Sequence, residues 1–277
     1  MDIAREAEGI IRLALAEDLG VEGDVTTKAC VPEEAQGSGQ ILARQPLTLA
    51  GGPVAAKVFE LVGGVRYSPL AKDGEHASKG QPVARLEGRL SSILTGERTA
   101  LNFMCHLSGV ATLTSRLFEL AKPFGVEILD TRKTMPGMRA LEKYAVRMGG
   151  GTNHRCGLFD GVIIKDNHIA AAGGVGLAVR RLRNALGERF KVEVEAASLA
   201  EVREALDAGA DAIMLDNMAP GVVSKAVAMV AGRARTEVSG GITPDNLGDY
   251  AAMKPDSISL GFLTHSAPSA DLSLELD

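Results

Sequence analysis

The stretch DAGADAIMLDN, residues 207–217, decides the architecture. It reads as a helix end, a tight glycine turn and a buried strand, closed by two polar residues. Working outward, runs of the same β-rich kind recur at Val126–Asp130, Gly161–Ile164, Lys191–Val194, Thr236–Val238 and Ser257–Leu260, beside Ala212–Leu215 itself. Helical stretches lie between them, among them Ala178–Leu186, Leu199–Ala208 and Gly221–Val230. Strand–helix alternation predicts a parallel sheet with helical crossovers. A complete eightfold barrel takes about 250 residues. Six units in the second half of the chain therefore predict an incomplete, open α/β barrel.

The first 110 or so residues have a different texture. Ile3, Ala7, Ile10, Ile11 and Ala14 fall at helical spacing and predict an amphipathic helix over residues 3–16. Short β-type runs (Gln40–Ala43, Val65–Ser68, Val83–Leu86), separated by glycine and charge, predict a small sheet. AKDGEHASKGQPVARLEG (71–88) is similar to a hairpin of lipoyl-carrier domains, but no lysine sits at a matching tip, so it reads as scaffold. Ser91–Leu120 predicts a long helix interrupted at Gly109. The expected division is residues 1–110 and 111–277, with the C-terminal tail packing on the first domain. No Pro/Ser-rich linker separates the two.

Composition excludes several classes. No apolar stretch approaches the ~18 residues of a membrane span. The opening MDIAREAEG carries acids where a signal peptide needs a basic region, so secretion is not expected. Cys30, Cys105 and Cys156 are far apart and odd in number, which argues against a disulfide framework or a zinc site and fits a reducing cytoplasm. A net charge of −5, 4% aromatics and no Trp argue against a nucleic-acid binder.

Barrel active sites lie at the C-terminal ends of strands. All six predicted strands end in polar, charged or glycine residues. Arg132, Lys133 and Lys165 follow the first two, in a segment (130–168) with seven Lys/Arg against four acids and two of the five histidines, His154 and His168. Its charge is +3, against −8 for the remainder. A basic island on an acidic chain points to a small anionic ligand, because guanidinium forks bind carboxylates and phosphates bidentately. Arg139, Lys143 and Arg147 are spaced along a helix and read as surface charge. In KVEVEAASL, Glu193 and Glu195 share one strand face by the period-two rule. With Asp216 they form hard oxygen donors suited to magnesium or a developing positive charge, or else a salt bridge to the basic island. Ser239-Gly240-Gly241 and the Gly261–Ser266 turn follow the last two strands, where barrels place a phosphate site. Thr243 and Pro244 are expected to cap and open a helix there.

At these residues the chain resembles the quinolinate phosphoribosyltransferases. The resemblance is carried by EDLGVEGDVTT (17–27), GERTALNFMCHLSGVAT (96–112), DTRKTMPGMRALEKYAVRMGGGTNHRCGLFDGVIIKDNHI (130–169), VEVEAASL (192–199), IMLDNM (213–218), EVSGGI (237–242) and SLGFLTHS (259–266). His106 stands where that family more often has another polar or basic residue. The resemblance implies an N-terminal α/β sandwich and a seven-stranded open barrel. It also implies magnesium-dependent transfer of phosphoribosyl from its diphosphate to quinolinate, with loss of carbon dioxide, in de novo NAD synthesis. It places Arg132, Lys133, His154, Arg155 and Lys165 around the quinolinate carboxylates. Arg98 is added from the neighbouring subunit of a homodimer, which itself can assemble further. Glu195 and Asp216 fall by the ribose and magnesium, held directly or through water or substrate. Ser239, Gly240, Gly241, Gly261 and His265 fall with the phosphoribosyl diphosphate. Lys133, Lys165, Glu195 and Asp216 are the catalytic candidates. The rivals are a sister enzyme acting on another aromatic acid, a Schiff-base lyase using Lys165 or Lys133, and a non-catalytic phosphate binder.

Overall fold

The computed structural model describes residues 2–277. In chain order the elements are α1 (Ile3–Leu19), α2 (Val25–Cys30), β1 (Gln36–Ala43), β2 (Leu47–Thr48), α3 (Gly52–Val62), β3 (Val65–Pro69), β4 (His76–Ala77), β5 (Pro82–Arg89) and α4 (Leu90–Ala121). Then follow β6 (Glu127–Leu129), α5 (Arg139–Met148), β7 (Val162–Ile164), α6 (Asp166–Ala172), α7 (Val175–Leu186), β8 (Val192–Ala196) and α8 (Leu199–Asp207). The chain ends with β9 (Ala212–Asp216), α9 (Pro220–Val230), β10 (Arg235–Ser239), α10 (Leu247–Ala251), β11 (Ser257–Ser259), α11 (Phe262–His265) and β12 (Leu272–Leu276). Among the described residues no helix is long and apolar enough to cross a membrane.

Two compact units result. The first comprises residues 1–115, 134–150 and 262–277. Its sheet is antiparallel in the order β12-β1-β5-β3, so the C-terminal strand completes it. Helices α1, α3 and α4 supply its apolar core with Ile11, Val58, Phe59, Met104 and Leu107. Two features depart from the sequence reading. Helix α3 lies inside the stretch read as β runs, because Gly63-Gly64 and Gly51 punctuate an apolar segment too short to show its period. Helix α4 is a continuous 32-residue helix with no break at Gly109. The glycine serves contact instead: a β-carbon there would lie 2.2 Å from the Pro268 carbonyl oxygen. Lys143 also departs, since it is buried rather than solvated. Beside it the buried Glu142 accepts from His106 Nε2 (2.9 Å) and from the Met135 main-chain N–H (3.1 Å).

The second unit comprises residues 116–133 and 151–261. Its sheet is parallel in the order β6-β11-β10-β9-β8-β7. Beyond the edge of β6, Leu129 makes an isolated parallel bridge to Thr152. That bridge is what the structure has in place of the seventh strand. Helices α7, α8 and α9 cover the outer face, where Val192, Val194, Ile213, Leu215, Val238 and Ile258 are fully buried or nearly so. After β10, helix α10 begins at Leu247, not at Pro244. The Asn246 side chain competes for the backbone: it accepts from Thr243 N–H (2.7 Å) and donates to the Gly241 carbonyl (3.0 Å), closing a turn where a helix was expected.

Gly109→Ala is expected to destabilise the protein by about 1–3 kcal/mol, because an overpacked contact outweighs the helix propensity gained. Gly9→Ala, in α1 with open space around it, is expected to stabilise by about 0.5–1 kcal/mol. Urea unfolding of both variants checks the pair. A more stable Gly109→Ala protein would contradict the packing described.

Candidate active site

The parallel register sorts the second unit's side chains into two faces. Glu195 pairs with Met214, Ser239 with Asp216, and Ser239 with Ser259. Paired residues of neighbouring strands share a face, and so do residues two apart. Glu193, Glu195, Asp216, Glu237, Ser239, Ser257 and Ser259 therefore all lie on the inner face, opposite the apolar one. Toward the N-terminal ends of the strands that face borders a cavity of about 530 Å³, lined by His154, Arg155, Lys191, Glu193, Arg235 and Glu237 among others; Lys165, Glu195, Asp216 and Ser239, at the opposite strand ends, do not line it.

At the C-terminal strand ends, Lys165 forms an ion pair with Glu195. A Schiff-base lysine must present a free amine, and this one is engaged as an ion pair. Asp216 accepts from Asn217 Nδ2 at 2.9 Å, and Asn217 N–H donates to the Ser239 carbonyl at 2.8 Å. Asn217 adopts φ +52° to do so, and Gly240 beside it adopts φ +88°. A β-carbon on Gly240 would sit 2.4 Å from Asn217 Oδ1, so only glycine fits. Glu195 and Asp216 thus present hard carboxylate oxygens on adjacent strands, a donor set suited to a divalent cation of the magnesium type.

Arg132 and Arg155 supply the positive charge. Burial, and then the charge of Arg132, hold the Arg155 guanidinium's pKa below its ordinary value. The two cations are close enough to repel one another, and the buried Nε of each has no hydrogen-bond partner. Two neighbouring guanidiniums are of the chemistry that binds carboxylates and phosphates. Lys133 is exposed, and its main-chain N–H donates to Thr131 Oγ1 at 3.0 Å.

The loop before β7 is anchored from within the barrel. Fully buried Asp130 accepts from Asn153 Nδ2 (2.5 Å) and from His154 N–H (2.9 Å). His154 Nε2 faces Glu193 at 3.1 Å and Glu237 at 3.3 Å. Burial disfavours charge on this ring, but the hydrogen bonds to the two carboxylates outweigh it and push its pKa up to about 10. The Arg155 main-chain N–H stands 2.7 Å from Nδ1 and opposes the second proton. Either state keeps a proton on Nε2. That proton accounts for the approach of three potential metal ligands to within 4.8 Å of one another. Glu193 therefore pairs with histidine rather than joining Glu195 and Asp216.

Models of the quinolinate phosphoribosyl transferase N-terminal and C-terminal domains match residues 24–108 and 110–275. The chain belongs to the quinolinate phosphoribosyltransferase family. It is 42% identical over 261 residues to the probable carboxylating nicotinate-nucleotide pyrophosphorylase of Bacillus subtilis, covering 94% of this chain and 90% of that one. It is 42% identical over 276 residues to the corresponding probable enzyme of Methanocaldococcus jannaschii, covering 96% of each. The solved nicotinate-nucleotide pyrophosphorylase of Francisella tularensis superposes with a TM-score of 0.95 at 37% identity, covering 99% and 97% of the two chains.

The second unit holds Arg132, Lys133, His154, Arg155, Lys165, Glu195, Asp216, Ser239, Gly240, Gly241 and Gly261 of the family's expected site. Arg98 and His265 belong to the first unit, both exposed. Three participants escaped the sequence reading: Asp130 and Asn217 as anchors, and Glu237. The period-two face of RTEVS (235–239) carried the signal for Glu237. Asp130→Ala is expected to lower stability by about 1–3 kcal/mol, since it strips a buried main-chain donor of its acceptor. Chemical denaturation measures this, and a loss below about 0.5 kcal/mol would remove Asp130 as the loop's anchor.

Proposed function

We propose that this chain transfers the phosphoribosyl group of phosphoribosyl diphosphate to quinolinate. The products are nicotinate mononucleotide, diphosphate and carbon dioxide, which feeds NAD synthesis. The observation that carries the reading is the neighbouring Arg132–Arg155 pair, in the same unit as the Lys165–Glu195 pair. Arg132, Arg155 and Lys165 take the two carboxylates of the substrate, with Lys133 and His154 beside them. The pyridine nitrogen forms the bond to C1 of the ribose as the bond from C1 to diphosphate breaks. Glu195 and Asp216 face the positive charge that develops on C1 and stabilise it electrostatically. The Ser239-Gly240-Gly241 and Gly261 turns offer main-chain N–H groups to phosphate. The 2-carboxylate then departs as carbon dioxide, and its electron pair passes to the ring carbon, which takes up a proton. Magnesium, held by Glu195 and Asp216, would neutralise the leaving diphosphate. In this reading two copies pair in the cytoplasm and exposed Arg98 enters the partner's pocket.

Incubation with quinolinate, phosphoribosyl diphosphate and magnesium is expected to release carbon dioxide stoichiometrically with nicotinate mononucleotide. No release would sink the reading. Each charge-assisted hydrogen bond to a carboxylate contributes roughly 1.5–3 kcal/mol. Arg132→Ala and Arg155→Ala are therefore each expected to weaken quinolinate binding by about ten- to a hundredfold in calorimetry. Asp216→Asn is expected to lower kcat more than it raises either KM. Wild-type turnover in that variant would remove Asp216 from the chemistry.

A further inference from the structure

The inner face of the barrel carries two carboxylates, Glu193 and Glu237, below the row of strand ends that the proposed chemistry uses. Both are buried. Burying a carboxylate is costly unless it is paired, and an apolar pair would pack the same space without that cost. Glu237 keeps one oxygen, Oε1, buried with no partner at all. Such groups add little net stability, and what they touch is the guide to their role.

They share one contact. Both approach one atom, His154 Nε2. The opposite ring nitrogen of His154 faces the main-chain N–H of Arg155. The same loop is held from its other side by Asp130, through Asn153 and the His154 N–H. Three buried carboxylates thus grip the two residues before Arg155. Among the described residues the Arg155 guanidinium makes one hydrogen bond, Nη1 to the Gly161 carbonyl at 3.0 Å, so its direction depends largely on the backbone that carries it.

We propose that Glu237, together with Glu193, is a positioning residue: the pair fixes the His154 imidazole from inside the barrel and through it aims Arg155 into the anion pocket. This rests on the reading of Arg155 as a quinolinate ligand. Pre-set donors bind and orient an anion without reorganising, and a small displacement of one costs affinity out of proportion to its size.

The test uses the full-length enzyme. Glu237→Leu is expected to raise the KM for quinolinate about tenfold, with kcat and the KM for phosphoribosyl diphosphate within about twofold of wild type. Glu237→Gln keeps an acceptor for Nε2–H and is expected to restore the quinolinate KM to within about threefold. An unchanged quinolinate KM in Glu237→Leu would overturn the proposal. So would a parallel loss in both KM values and kcat, or failure of glutamine to rescue. Should Glu237→Leu not fold, Glu237→Asp, which withdraws the oxygens by one methylene, must still raise the quinolinate KM several-fold. A second readout needs no turnover. The His154 Nε2–H proton is expected to be exchange-protected and visible by NMR in the wild type and to exchange markedly faster in Glu237→Leu, where Glu193 alone holds it. If the wild type released no carbon dioxide, the functional reading would fall while this resonance still judged the clamp.

Discussion

A parallel sheet whose inner face is charged has to be held together from its outer face. Here the two faces of β8, β9 and β10 divide almost without exception. Val192, Val194, Ile213, Leu215 and Val238 turn outward and are sealed under helices. Glu193, Glu195, Asp216, Glu237 and Ser239 turn inward. Each fully buried aliphatic side chain contributes about 1.5–3 kcal/mol, while a buried ion pair contributes little or nothing net. The outer layer therefore carries the stability, and the inner layer is free to be chosen for chemistry. One strand serves both ends because its side chains alternate.

The inner face is also electrostatically ordered. Arg132 and Arg155 repel each other, and an anion bound between them would relieve that repulsion. Glu193, which attracts Arg155, offsets part of the repulsion in the empty protein. The same carboxylate bonds to His154, so charge balance and loop position depend on one side chain. Neighbouring like charges and buried carboxylates cost stability that an apolar lining would not, a common condition of functional sites.

Much of this was legible in the sequence, for physical reasons. Period-two alternation and glycine turns disclosed the parallel strands within a residue or two, because buried strands between helices leave a strong composition signal. The clustering of Arg and Lys at strand ends pointed to the Arg132–Arg155 pair that the fold brings together. What stayed hidden was set by partners distant in the chain. Gly109 looked like a helix breaker because nothing nearby in sequence reveals Pro268. Lys143 looked solvated because its helix face is defined by tertiary packing. Glu237 went unread because a lone acid in a strand gains meaning only when His154, more than 80 residues earlier, is placed against it.

The basic island illustrates the converse, a sequence cluster that topology converts into a site. Strands β6 and β7 are consecutive in the chain but stand at opposite edges of the sheet. Arg132 follows one edge and Lys165 the other. Were the sheet flat, the four intervening strands would hold them far apart, at nearly 5 Å per strand. The loop between the edges bridges to β6 at Thr152 and enters β7 after Gly161, so it spans the opening of the barrel. His154 and Arg155 ride on that loop. The neighbourhood of Arg132 and Arg155 is thus evidence of curvature: the sheet has curled until its edges share one loop, and the cations gather at the seam. From the middle strands Glu193 of β8 and Glu237 of β10 reach that loop at His154. An open barrel suits this arrangement better than a closed one, because a full ring of ladder hydrogen bonds would leave no gap for the anchored loop that carries His154 and Arg155.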